Sequence, residues 1–281
     1  MTKKMHIRPE KAAKTALVYL LVLFVSFIFA FPCIWLVLSA FNAEGDLLTL
    51  DGFFPQEYSF DTFRRLFTEV NKYDYRRWFT NTLFVAAVSC VISTFLVIAV
   101  AYTISRYRFK SRKAMMKATL ILGIFPNFMN MTALFVIMTQ LQLINNLWGL
   151  ILLYSSGSTM GFLVQKGFFD TIPGSIYDAA TLDGASDFRI FLSITLPLSK
   201  PMIVYTALTA FVWPWADFML PSMLLVDKSS WTVAVGLNSL DDSEFSVFAA
   251  GSMFVAIPII VLYIALSKYL IQGGSAGAVK D

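Results

Sequence analysis

Between Lys14 and Glu44 there is no charged side chain, and between Lys117 and Lys166 there is none either. A helix crosses the hydrocarbon core of a bilayer in about 20 residues. Lipid offers no partner to an open backbone amide, so runs of this length and polarity restrict the chain to membrane-spanning helices. Composition agrees: 57% of residues are hydrophobic and 14% are charged, against about 25% charged in soluble domains. The fold class read from the sequence is all-α, a polytopic integral membrane protein with six transmembrane helices.

The charged residues mark the boundaries. A basic tail, residues 1–15, carries Lys3, Lys4, Arg8, Lys11 and Lys14. The first span is 16–40, with Pro32 inside it at a plausible kink. Residues 41–77 form a polar connection. The core, 78–268, holds five more spans, at about 80–104, 118–139, 147–167, 201–225 and 245–267. The turn Gln140–Asn146 divides the long uncharged run into two spans. A tail, 269–281, ends the chain. Cys33 and Cys90 fall inside apolar runs without metal-ligand spacing and are read as buried small apolar residues.

Orientation follows from the basic residues. The N-terminal tail and the segment Arg106–Lys117 are rich in Lys and Arg, the 140–146 turn has none, and the 227–244 loop has only Lys228. The positive-inside rule places both termini and the 106–117 loop in the cytoplasm. Alternation then makes 41–77 extracytoplasmic and puts 168–200 inside. The net charge of +4 reflects this topology and not a nucleic-acid surface.

Several chemistries are excluded. There is no G-x-x-x-x-G-K-[ST] phosphate loop, no H-E-x-x-H and no C-x-x-C. His6 is the only histidine, so a histidine-based catalytic or metal site is not expected. An ion-coupled carrier usually shows several ionisable groups within its spans; here Asp217 stands alone.

The segment Tyr177–Pro197 is polar by comparison, with Asp178, Asp183 and Asp187 around Gly184. Ser175-Ile176-Tyr177-Asp178 reads as a capping box, starting a helix near residue 176. Gly184 can take the left-handed conformation that ends it. Ser186 can cap a second helix through Phe188, Phe191 and Leu192 towards Pro197. Two short helices joined by a bend result. They serve either as a plain corner or as a docking surface, with Ala179, Ala180 and Leu182 packing into a partner's groove.

The spacing Asp178-Ala179-Ala180, Gly184, Ile194, Leu196-Pro197 resembles the EAA loop in permease subunits of bacterial ABC importers, with Asp178 in place of Glu. Asp183-Gly184-Ala185 fits the sugar-importer version. Further along the chain, Ala101-Tyr102, Ser105-Arg106-Tyr107-Arg108-Phe109 and Arg112 resemble the basic loop of the maltose/maltodextrin-type sugar permeases. Leu143-Ile144-Asn145-Asn146 resembles their third-to-fourth span turn. Trp215-Ala216-Asp217-Phe218 resembles their fifth-span Trp-Asn-x-Phe pattern with Ala216 replacing Asn, and Gly277-Ala278-Val279-Lys280 resembles their ending.

This resemblance implies the type I ABC importer permease fold, with a cytoplasmic coupling helix in 168–200. By motif position it assigns ATPase coupling to Asp178, Ala179, Ala180, Asp183, Gly184, Ala185 and Pro197. It implies a second permease subunit, two ATP-binding cassette ATPase subunits and an extracytoplasmic solute-binding protein. The chain itself is not an enzyme: it holds no catalytic residue, no metal and no cofactor, and ATP and Mg belong to the partner ATPase. The expected function is import of a sugar, such as maltose, maltodextrin or another oligosaccharide, across the bacterial cytoplasmic membrane. A polyol or glycerol phosphate importer, and a membrane sensor subunit without transport, are the alternatives.

A substrate pathway is expected around Asp217, Trp213 and Trp215, with Asn127 and Asn130 as further polar lining. Asp217 either accepts hydroxyls from a sugar or makes a helix-packing hydrogen bond, to Thr206 or Thr209 among other partners. The asparagines serve equally well as interhelical hydrogen bonds. The 227–244 loop is either a contact for the binding protein or a solvated loop.

Overall fold

The structure, a computed structural model, describes residues 9–43, 54–55, 57–124, 127–157 and 159–276. Among these there is no strand, only an isolated antiparallel bridge between Asn42 and Tyr58. The chain divides into two compact units, 1–68 with 240–253, and 69–239 with 254–281.

The first unit contains α1 (Pro9–Ala40) and α2 (Asp61–Thr68). Helix α1 continues through Pro32, and its described side chains up to Phe29 are exposed. Cys33 is exposed as well, which corrects the expectation of a buried thiol: among the described residues its position on α1 is left open. Beyond α1, described residues of the polar connection pack together. Phe41 packs against Phe60 and Phe63 with ring centroids 5.4 and 5.1 Å apart, and the Leu66 side chain of α2 is buried. Trp35 meets Phe245, at the start of the last helix, at 5.2 Å.

The second unit is built on α3 (Tyr75–Arg106), 32 residues long. Small residues, Ala86, Ser89, Ser93 and Ala101, lie on its buried side. They permit close approach of neighbouring helices where lipid supplies no hydrophobic drive. There follow α4 (Arg112–Ile124), α5 (Asn127–Gln140), α6 (Leu147–Ser156) and α7 (Thr159–Phe169). The chain then forms α8 (Gly174–Leu182), α9 (Asp187–Ile190), a π-helical segment Phe191–Thr195 and α10 (Leu196–Leu198). It closes with α11 (Lys200–Ala216), α12 (Met219–Leu224), α13 (Val233–Asn238) and α14 (Phe245–Ala276), the last beginning in the first unit. One apolar cluster joins Ala86 of α3 to Phe211 and Trp215 of α11, with Val255, Ile259 and Leu262 of α14 against it. Another joins Val85, Met138, Leu150 and Ile151 to Leu220 and Leu224.

Four stretches are long and apolar enough to cross a membrane: Lys14–Ala40, Tyr75–Arg106, Leu147–Phe169 and Asp242–Leu270. Among the described residues two bent pairs also qualify, and with each pair taken as one span the number is six, in keeping with the reading of the sequence. The differences lie within spans. The expected 118–139 helix is divided, and its halves are bent by 107°. Between them the sequence reads Phe125-Pro126, which lie outside the described residues. The expected 201–225 helix ends at Ala216 and restarts at Met219. Helix α11 also bends by 79° from the Asp187–Leu198 segment before it.

Candidate functional site

At the end of the second unit that carries the basic residues 106–117, α8 and α9 form an elbow. Helix α8 begins at Gly174 after Pro173, whose φ of −57° and ψ of 132° lead into the first turn. The expected capping box does not form: Ser175 lies within the helix, and no side chain caps it. The helix ends as the sequence predicts. Gly184 has a φ of +79°, a conformation that glycine adopts without the Cβ penalty. Its amide donates to Thr181 O, and that of Ala185 to Ala180 O, both at 3.0 Å. These two bonds make a Schellman motif, which satisfies carbonyls that the helix end would leave open. Ser186 then caps α9 by accepting from the Arg189 amide at 3.4 Å.

The outer face of the elbow is uncovered. Leu182 is 89% exposed and Phe188 70% exposed. Asp178, Ala179, Asp183, Gly184 and Pro197 are exposed too, while Ala180 and Ala185 are half-buried. No atom lies within 4 Å of where a Gly184 Cβ would stand.

The inner face is held by residues that sequence reasoning did not single out as functional. Tyr177 is the buried residue of α8, 6% exposed. The Arg106 guanidinium sits over its ring, 4.6 Å from the centroid, and the Thr195 hydroxyl donates to its hydroxyl at 3.3 Å. Ser105 donates to the Asp170 carboxylate at 2.5 Å, and Lys166 forms a hydrogen-bonded ion pair with the same group. Tyr102 packs against Phe191 with ring centroids 4.7 Å apart. The i,i+4 spacing of Lys166 and Asp170 is the one pairing of this set that local spacing in the sequence marks.

Two titrations follow from this geometry. Burial would raise the Asp170 carboxyl, but the hydrogen bonds from Lys166 and Ser105 and the charges of Lys166 and Arg112 outweigh it, holding it below its ordinary value. Burial and the hydrogen bond and charge of Asp187 push the Tyr107 hydroxyl up, against the opposing charge of Arg106.

At the opposite end, Asp217 occupies the break after α11, with φ −80° and ψ 114°. The Tyr154 hydroxyl donates to one of its carboxylate oxygens at 2.9 Å, and the Leu220 amide to the other at 3.3 Å. The expected partners are engaged elsewhere: Thr206 donates to Gln165 and Met202, and Thr209 to Tyr205 and Thr206. The two tryptophans before Asp217 differ in their surroundings. Trp213 is exposed, whereas Trp215 is buried against Phe79 at 5.2 Å. Asn130 is exposed on α5; the Asn127 side chain lies outside the described residues.

The 227–244 segment is solvated at its flanks but not in its middle. Its α13 is buried from Val233 to Leu237, because α3 supplies partners to it and to the turn before it. The Trp78 indole donates to Lys228 O at 3.2 Å. Asn81 donates to Ser229 O and Trp231 O, and the Val233 amide donates to the Thr82 hydroxyl at 2.8 Å. Asn145, at φ 58°, ties the 140–146 turn to this region. Its amide donates to Leu224 O at 2.7 Å, and its side chain pairs with Asp227.

Residues 96–273 match the protein family described as binding-protein-dependent transport system inner membrane component. Over 93% of its length the chain is 37% identical to the galactooligosaccharides transport system permease protein GanQ of Bacillus subtilis (strain 168), covering 94% of that protein. Over 98% of each chain it is 36% identical to the maltodextrin transport system permease protein MalD of Streptococcus pneumoniae (strain ATCC BAA-255 / R6). Its fold is similar to that of a chain in a bacterial ABC transporter that imports alginate. The TM-score there is 0.77 at 20% identity, covering 94% of this chain and 99% of the other.

Proposed function

Because the chain belongs to the family of binding-protein-dependent transport system inner membrane components, and is thus an integral membrane protein, we propose that it is a permease subunit of a sugar-importing ABC transporter. It works beside a second permease subunit, two ATPase subunits and a solute-binding protein. An oligosaccharide is the expected cargo, by likeness to permeases for galactooligosaccharides and maltodextrin.

The observation that carries the coupling assignment is the elbow: a short, capped helix pair whose outer face exposes Leu182 and Phe188 while Tyr177 anchors its inner face. Apolar side chains this exposed, on a rigid polar-rimmed corner, suit a protein partner. In this reading Asp178, Ala179, Ala180, Asp183, Gly184, Ala185 and Pro197 make the corner that the ATPase grips, and 168–200 lies in the cytoplasm with both termini. ATP and Mg stay in the ATPase; this chain supplies shape and stiffness.

The test is to assemble the complete complex in proteoliposomes and measure which solutes, delivered by the binding protein, stimulate ATP hydrolysis. Stimulation by an oligosaccharide, with its accumulation, supports the reading. Stimulation only by a polyol or glycerol phosphate would overturn the sugar assignment. A complex that contains no ATPase would overturn import itself.

A further inference from the structure

Three consecutive residues at the end of α3 reach three successive parts of the elbow. Ser105 donates to Asp170, just after α7. Arg106 covers the ring of Tyr177 in α8. Tyr107, the residue after α3, feels the charge of Asp187, the first residue of α9. Tyr102, one turn earlier, adds Phe169 and Phe191 at 6.3 and 4.7 Å. The far end of the same helix holds the 228–233 segment through Trp78, Asn81 and Thr82. An unbroken helix of 32 residues, about 48 Å long at 1.5 Å per residue, therefore grips the chain at both ends.

We propose that Arg106 and Tyr177 are positioning residues that make the elbow and α3 move as one body, so that α3 carries displacement of the elbow to the segment 228–236. The inference rests on the coupling role proposed above. The physical case is specific. Tyr177 is the buried residue of α8, so a force on this exposed helix has little other side-chain path into the rest of the unit. A guanidinium stacked on an aromatic face is a planar, partly desolvated contact that resists sliding better than a flexible ammonium does. The Thr195 hydroxyl also donates to Tyr177, a long bond of 3.3 Å that adds little to the ring contact with Arg106.

The experiment reads solute molecules imported per ATP hydrolysed by the complete complex in proteoliposomes with its binding protein. Arg106→Gln and Tyr177→Leu are each expected to lower that ratio at least about threefold, in line with loss of one cation–π contact. ATPase activity should persist, because the outer face is untouched. Tyr177→Phe keeps the ring and should keep most of the coupling; Arg106→Lys should fall between. The double variant Arg106→Gln with Tyr177→Leu should be no worse than the poorer single one, since the pair acts through one contact.

A contact that only supports folding would lower complex yield and leave the ratio intact. An unchanged ratio in both Arg106→Gln and Tyr177→Leu overturns the inference. If those two fail to assemble, the milder pair decides: a ratio for Tyr177→Phe as low as for Arg106→Lys, or no deficit in Arg106→Lys, overturns it. A wild-type complex that hydrolyses ATP without importing solute counts instead against the proposed function, so the two failures are distinct.

Discussion

The Tyr154 hydroxyl donates to the Asp217 carboxylate at 2.9 Å, at the point where α11 stops and α12 has yet to begin. The other carboxylate oxygen accepts the Leu220 amide. One side chain thus accounts for the break and ties it to α6. With both oxygens engaged, the packing role expected as one alternative is the better supported.

Asp217→Ala should therefore destabilise the assembled complex by about 1–3 kcal/mol, because it leaves the half-buried Tyr154 hydroxyl without an acceptor. Tyr154→Phe should cost about 1 kcal/mol, since the carboxylate keeps its amide partner. Thermal unfolding of the purified complex checks both. Uptake by Asp217→Asn should stay near that of the parent protein; a selective loss of uptake with stability intact would restore a role on the substrate pathway.

Gly236 has no room for a side chain. A Cβ there would stand 2.1 Å from the Trp78 ring. Gly236→Ala should cost about 1–3 kcal/mol as an overpacked site. With the indole trimmed by Trp78→Leu, the double variant should cost less than the two single costs added together. A double-mutant cycle on unfolding temperature measures this, and strict additivity would contradict the close approach.

Gly184 is constrained by conformation and not by space. Gly184→Ala should cost about 1 kcal/mol, the usual penalty of a left-handed L-residue, and Gly184→Asn less. Gly184→Pro forbids positive φ and removes the amide that donates to Thr181. Insertion should survive while ATP-linked uptake is lost; normal uptake at normal abundance would remove Gly184 from the coupling assignment.

Asp170 predicts a pH window. Its carboxyl lies below the ordinary 3.8 in the folded chain, so its contribution is fully present above that value. It is lost as pH falls through the lower folded value. Asp170→Asn should be less stable than the parent at neutral pH, with the gap narrowing only below about pH 4. Melting temperatures of both proteins across that range test the sign.

Much of the elbow was legible because its signals are local. Gly184 as the left-handed stop and Ser186 as the cap each depend on a few neighbouring residues, and both stand in the structure. The capping box at Ser175 failed for a local reason too: the helix begins directly after Pro173, one residue before the expected cap. The broken spans were less legible. A run of apolar residues states how much lipid it can cross, but the break at Asp217 is held by a tyrosine 63 residues earlier.

The sequence alone determined that this is a polytopic helical membrane protein, how many crossings its uncharged runs can make and where its polar corner turns. These follow from length, charge and short-range capping, which are additive along a chain. Only the tertiary structure decided what holds that corner and what fills the far end. Arg106 and Tyr177, or Trp78 and Gly236, are brought together by helix packing between residues far apart in sequence, and no periodicity marks such a meeting in advance.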